Sequence, residues 1–273
     1  MRHQPAIAFL LCAITSAAHA DPGEPPPFAT LDRQDATSRA GAELSYLKTK
    51  SGVNATVFRA DIYGQYVDTD SGFGGYAQLP LSFADASSKS IFGIGGLELG
   101  GIFTTRFADN ARLVLHAGVV LPTASADQDA AAANIITLLA RPTDFYLALP
   151  DAWSVRTGGA IVLRSGQLFA RIDAGVDINA TANNSSNRAN AVGHLNAGLG
   201  FDAGDLALTI ESSNVYANTD ASAGANALDA LAFGASFRAG VTRPYVAVVV
   251  GLDDDAQMFG NLVLTAGLSV SLQ

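Results

Sequence analysis

The chain has 273 residues, of which 49% are hydrophobic and only 15% are charged, whereas soluble domains average about 25% charged residues. It contains only three lysines, which is few for a soluble protein surface of this size. Its formal net charge of −9 argues against a nucleic-acid partner, because phosphate binding needs clustered Lys and Arg. The excess of apolar residues therefore predicts a surface that faces lipid.

The amino-terminal segment, residues 1–20, has the pattern of a cleaved secretory signal: a basic start, a short apolar run and a small-residue site at Ala18-His19-Ala20. The only cysteine, Cys12, lies within that apolar run, so the mature chain should have no disulfide, thiolate metal site or cysteine nucleophile. Residues 21–41 contain three consecutive prolines and no periodicity. They are interpreted as a periplasmic leader that could tuck into the folded domain.

From residue 42 to residue 273 the hydrophobic pattern has a period of two. In residues 167–180, for example, Leu168, Ile172 and Ile178 fall on one face, while Arg171 and Asp173 fall on the other, as expected for a strand between lipid and water. The pattern predicts an all-β fold, an antiparallel transmembrane up-and-down barrel of about twelve strands. The strands are predicted near residues 42–48, 54–68, 73–84, 96–107, 111–122, 152–164, 167–180, 191–202, 205–216, 228–238, 243–252 and 261–272.

The connections between these strands alternate in length. Five links are short, and the links between them are mostly longer, which is typical of barrels with short periplasmic turns and long external loops. Residues 85–95 are predicted as one of the external loops. The longest connection, residues 123–151, contains an alanine-rich stretch with Asp127 as a helix cap. This loop could fold inward and constrict a pore, or a short helix could pack over the barrel mouth.

Aromatic residues fall near the predicted strand ends. Amphipathic rings prefer the two membrane interfaces, so these positions support the barrel topology. The rings assigned to the periplasmic ends are those of Tyr66, Phe73, Phe107, Phe201, Phe237 and Tyr245, and those assigned to the external ends are Tyr46, Phe83 and Trp153.

Two stretches resemble a known family. Residues 93–125, with Leu97-Glu98-Leu99-Gly100-Gly101 and the ending Val120-Leu121-Pro122-Thr123, are similar to the small outer-membrane barrels grouped with the meta-pathway phenol-degradation transporters. So is the closing segment from Arg243-Pro244-Tyr245 to the last strand. The resemblance covers about a quarter of the chain. It implies a barrel that moves small, often hydrophobic molecules across the outer membrane.

Acidic, basic and histidine side chains occur on the polar face of the predicted strands. They are candidates for lining a pore. They could form a selectivity lining, for which rings of charged side chains are a known device, or a salt-bridged plug that fills the interior. The candidates are Arg59, Asp61, Glu98, Arg106, Arg112, His116, Arg156, Arg164, Arg171, Asp173, Asp177, His194, Asp202, Glu211 and Arg238.

Catalysis is the weakest interpretation of this set. A hairpin between two neighbouring predicted strands would place His194 across from Asp177, and such a pair can orient a general base, as in the barrel hydrolases. No matching nucleophile or acidic dyad accompanies it, so we do not expect an enzyme. No zinc spacing or phosphate-binding loop occurs either, and the sequence predicts no cofactor and no metal site.

The sequence thus predicts an outer-membrane channel or transporter for small solutes, hydrophobic ones included, whose surroundings are outer-membrane lipid and lipopolysaccharide. The alternative is a closed structural or adhesive barrel, and a barrel hydrolase is the third choice. Neither the solute nor the state of the lumen follows from the pattern.

Overall fold

A computed structural model describes residues 27–49, 55–86, 89–151, 153–179, 191–218, 227–254 and 262–272. The predicted signal segment with Cys12, and the first residues of the predicted leader, lie outside the described residues. Within the described part, one antiparallel sheet of thirteen strands accounts for most of the chain.

The strands follow one another around the sheet, and β2 pairs with β1 on one side and β3 on the other, so the sheet closes on itself. Twelve strands form the ring, as predicted, and β4 is an additional strand paired with β3. Their bounds are β1 Arg39–Lys48, β2 Ala55–Val67, β3 Phe73–Ala86, β4 Lys89–Ile94, β5 Leu97–Ala108, β6 Ala111–Leu121, β7 Ser154–Ser165, β8 Leu168–Asn179, β9 Ala191–Ala203, β10 Leu206–Asn218, β11 Ala227–Phe237, β12 Thr242–Gly251 and β13 Leu262–Ser271.

Alternation along each strand sorts the side chains between the two faces of the barrel. In β8 the outward Leu168, Ile172 and Ile178 are exposed, while the inward Arg171 and Asp173 are buried, which confirms the predicted faces. Large exposed apolar side chains recur around the whole exterior. An apolar exterior around a polar interior is the pattern of a membrane barrel.

The strand β4 was not predicted, because residues 85–95 were assigned to an external loop. In the structure β3 continues to Ala86 and turns directly into β4. β4 pairs with the carboxyl-terminal half of β3. The amino-terminal half of β3 pairs with β5 instead. The partner strand is interrupted at Gly95-Gly96 opposite Pro80, whose carbonyl accepts a hydrogen bond from the Gly95 N–H at 2.8 Å. β4 and β5 therefore act as one long strand with a kink.

The barrel has two different ends. At one end, named here the turn end, short links join β2 to β3, β5 to β6, β7 to β8, β9 to β10 and β11 to β12. Two of these links turn tightly at Gly166 and Gly204, which adopt positive φ angles of 59° and 81° that favour glycine. The opposite end, named the loop end, carries the longer connections. This alternation agrees with the predicted topology.

Eight of the nine predicted interface aromatics are exposed on the outer face, in agreement with the prediction. Tyr245 is the exception, because it is 5% exposed and points into the barrel. Arg243 and Ala247, two residues before and after it, are also buried. The odd-numbered residues of β12 therefore face the lumen.

The long connection after β6 forms the helix α1, Gln128–Ile136, followed by 3₁₀ turns at Thr137–Ala140 and Pro142–Ala148. Asp127 caps α1 as predicted, accepting hydrogen bonds from the N–H groups of Asp129 and Ala130. Both alternatives for this connection are realised. The helix packs against β3 and β4 at the loop end, and the 3₁₀ turns enter the barrel. Among the described residues, no helix is long and apolar enough to cross a bilayer.

Candidate functional site

Two segments that do not belong to the wall occupy the barrel interior. We call residues 27–38 the plug segment and residues 137–149 the inward loop. Residues 27–35 are buried throughout, and so are most residues of the inward loop. Residues 27–35 of the predicted leader thus lie inside the barrel, whereas residues 39–41 belong to β1.

Wall side chains bind the backbone of the plug segment. The Glu211 carboxylate accepts hydrogen bonds from the N–H groups of Ala29 and Thr30 at 2.9 and 2.7 Å. The Asp173 carboxylate accepts one from the Asp32 N–H at 3.0 Å, and the Arg171 guanidinium donates to the Gln34 carbonyl at 2.9 Å. The wall therefore contacts both the donors and the acceptors of an extended chain.

The Asp32 side chain joins the plug segment to two histidines of the wall. Its Oδ2 atom lies 3.2 Å from His116 Nε2 in β6 and 3.0 Å from His194 Nε2 in β9. The predicted pairing of His194 with Asp177 is wrong, because the register places His194 opposite Gly175 and its imidazole contacts Asp32.

Arg156 in β7 is the centre of a buried network of charges. Its guanidinium lies 2.6 Å from Glu98, 3.1 Å from Asp177 and 3.4 Å from Asp144 of the inward loop. Arg59 in β2 also contacts Asp144 and makes two further hydrogen bonds with Asp61 at 2.8 Å. The inward loop is thus held by wall arginines.

The plug segment supplies one guanidinium to the opposite side of the lumen. Arg33 lies 3.3 Å from Glu43 and 3.2 Å from Asp61, two residues that face each other across β1 and β2. Its Cζ atom stands 4.5 Å above the ring of Tyr63, a cation–π contact. The Tyr245 hydroxyl donates a hydrogen bond to Glu43.

The loop end of the lumen is apolar. Leu47, Val57 and Val249 of the wall pack against Leu138 and Tyr146 of the inward loop, and each of these residues is at most 2% exposed. Strand alternation predicted a mostly polar lumen face and gave no indication of this apolar layer. Strand periodicity separates two faces but does not identify the segment that will cover one of them.

The turn end of the lumen is open. Two adjoining cavities of about 230 and 480 Å³ lie there, and both are lined by Ala36, Arg106 and Arg112. We call this space the vestibule. In the turn at its edge, hydrogen bonds from the Ser71 hydroxyl and the Asp70 N–H lower the pKa of Asp68.

The structure distributes the fifteen candidate pore-lining residues between two levels. Eleven are buried inside the barrel: Arg59, Asp61, Glu98, His116, Arg156, Arg171, Asp173, Asp177, His194, Asp202 and Glu211. The other four are more exposed and lie towards the turn end: Arg106, Arg112, Arg164 and Arg238. Arg164 is 2.7 Å from Asp202.

Several residues of the site were not among the candidates. Asp32 and Arg33 lie in the leader and Arg141 and Asp144 in the long connection, where no strand periodicity marks them. Glu43 could have been found, since it alternates with the outward Leu44 in β1. No group of three or more His, Cys, Asp or Glu that could hold a metal ion occurs in the described ranges.

No protein-family model matches this sequence, and a comparison with curated proteins finds no match. Solved structures do match. An outer-membrane channel from Pseudomonas putida F1 has a TM-score of 0.66 and 13% identity, over 93% of this chain and 100% of the channel.

Two porins are also similar. KdgM, solved in complex with disordered oligogalacturonate, has a TM-score of 0.54 and 9% identity over 86% of this chain and 99% of its own. NanC has a TM-score of 0.52 and 10% identity over 86% of this chain and 100% of its own. At these identities the likeness shows the fold alone. The chain therefore has the closed β-barrel fold that these outer-membrane channels and porins share.

Proposed function

We propose that this protein is an outer-membrane channel for small solutes and not an enzyme. The observation that carries the proposal is the content of the lumen. Two segments outside the wall fill it, and wall groups hold the plug segment largely through hydrogen bonds and ion pairs. When the segment leaves, these wall groups can form hydrogen bonds with water instead. The side chains of a continuous apolar core could not replace their contacts in this way.

The proposed orientation places the turn end and its vestibule in the periplasm and the loop end outside the cell. The apolar exterior would face outer-membrane lipid and lipopolysaccharide. The structural similarity to channels and porins supports this location, and so does the predicted signal. We propose no catalytic role for His194, because its imidazole contacts the plug carboxylate of Asp32.

Conductance across a planar bilayer tests the proposal. The full chain should show low conductance with brief openings, because the plug segment and the inward loop narrow the same passage. A variant lacking residues 21–37, with the signal joined to Ser38, should conduct more often and more strongly. A boiled and an unboiled gel lane for each protein controls for folding, since folded membrane barrels shift in mobility on heating.

The competing function is a closed structural barrel, which the apolar layer at the loop end favours. In that case both proteins would be folded and inserted, and neither would conduct. That result would overturn the channel proposal.

A further inference from the structure

Part of the described interior is shaped for a planar cation. Glu43, Asp61 and Tyr63, named here the cradle, all belong to the wall and are all buried. Glu43 and Asp61 are cross-strand neighbours, and the Tyr63 ring completes the site beside them. The occupant, Arg33, belongs to the plug segment.

The contacts of Arg33 match the chemistry of a guanidinium. Its two terminal nitrogens lie 3.3 and 3.4 Å from the two oxygens of Glu43, a forked pairing that an ammonium ion cannot copy. The aromatic face below supplies the second recognition element, because a flat cation stacks on it. Two carboxylates and a ring thus define both the charge and the shape of the occupant.

The fit of Arg33 is incomplete. Its Nε atom is buried and has no hydrogen-bond partner among the described residues. A solute carrying a free guanidinium can rotate and shift to satisfy this nitrogen, whereas Arg33 is restrained by the chain on either side of it. Arg33 is therefore an occupant that a freer ligand can replace.

The cradle itself is negative when the plug segment is absent. Asp61 keeps Arg59 at 2.8 Å, and among the described residues Arg141, at 3.9 Å, is the one basic group within ion-pair distance of Glu43. Glu43 is therefore the carboxylate of the cradle that most needs a new cationic partner.

We propose that the cradle is the solute-recognition site of the channel and that its solute is a small organic cation with a guanidinium head. Arg33 acts as a tethered copy of that head and occupies the cradle until the solute displaces it. This inference rests on the proposed channel function.

Chemical rescue tests the cradle without requiring transport. Arg33→Ala, in the full chain, leaves the cradle empty and should lower the midpoint of thermal unfolding, read from heat-modifiable gel mobility. Millimolar methylguanidinium should restore the midpoint, whereas methylurea, its neutral analogue, should not. In the double variant Arg33→Ala/Glu43→Gln, methylguanidinium should give no recovery. Equal effects of the two additives, or equal recovery in both variants, would overturn the proposal.

A second measurement separates the cradle from the channel. The variant lacking residues 21–37 should prefer methylguanidinium over an anion of similar size, judged from its reversal potential, and Glu43→Gln in that background should reduce the preference. Conductance without cation preference, together with no rescue, would overturn the cradle and leave the channel standing. Rescue without any conductance would support the cradle and overturn the channel.

Discussion

At the scale of single residues, several lumen charges form ion pairs in which both partners are buried. Arg171 and Asp173 lie on the same face of β8, as the alternation predicted, and their side chains are 2.6 Å apart. Arg171 also donates to the Gln34 carbonyl, so it links the wall to the plug segment. Gly198 lies opposite Arg171 in β9. The sequence could not predict Gln34 as a partner, because 137 residues separate it from Arg171.

Arg171→Ala should destabilise the folded barrel. The substitution leaves the fully buried Asp173 without its guanidinium partner, and breaking a buried ion pair by removing one member costs about 3 kcal/mol or more. Urea titration of the refolded protein, followed by gel mobility, measures this loss. Arg106→Ala is the matched control, because Arg106 is exposed at the vestibule, and its effect should stay within about 0.5 kcal/mol. Equal midpoints for the two variants would contradict the buried pair.

At the scale of elements, strand positions were predictable and their partners inside the barrel were not. Alternation placed all twelve ring strands because lipid selects apolar residues on every second position. It missed β4, since the kink at Gly95-Gly96 breaks the period. It gave no information on the plug segment, whose extended chain has no period of its own. The plug is held by contacts that join residues as far apart as Thr30 and Glu211.

Gly198→Val should loosen the plug segment while leaving the wall intact. A Cβ atom at Gly198 would lie 2.6 Å from Phe28 Cε1 and 3.1 Å from Leu31 Cδ2, so these side chains of the plug must shift. Overpacking of this kind costs about 1–3 kcal/mol, which corresponds to roughly a five- to 150-fold increase in plug release. Channel openings in a planar bilayer should become more frequent by a similar factor.

The control for this substitution is Gly193→Val on the same strand. A Cβ atom there meets only the Gly175 carbonyl oxygen, at 3.9 Å, so the plug should be unaffected. If the two valine variants open equally often, the plug segment is not what limits the openings.

At the scale of the whole molecule, the lumen consists of three levels along its axis. The vestibule at the turn end is open, the charged level around Arg156 holds the plug segment and Asp144 of the inward loop, and the apolar level at the loop end holds Leu138 and Tyr146 of the inward loop. Releasing the plug segment alone leaves the apolar contacts between the inward loop and the wall in place. This order explains why the conductance of a plug-loosened variant should remain limited by the inward loop.

Thiol labelling from the turn end can map these levels, because the only cysteine of the chain lies in the predicted signal. Arg106→Cys lines the vestibule and should react quickly with a charged, membrane-impermeant thiol reagent. Ser213→Cys replaces a lumen residue that is 0% exposed, and it should react only after the protein is unfolded. When Ser213→Cys is combined with Gly198→Val, the cysteine at position 213 should react faster. The increase should match the increase in plug release, because the released plug no longer blocks the reagent from the turn end. If Ser213→Cys reacts as fast as Arg106→Cys in the otherwise unchanged chain, the lumen is already continuous and the closure by plug and loop is wrong.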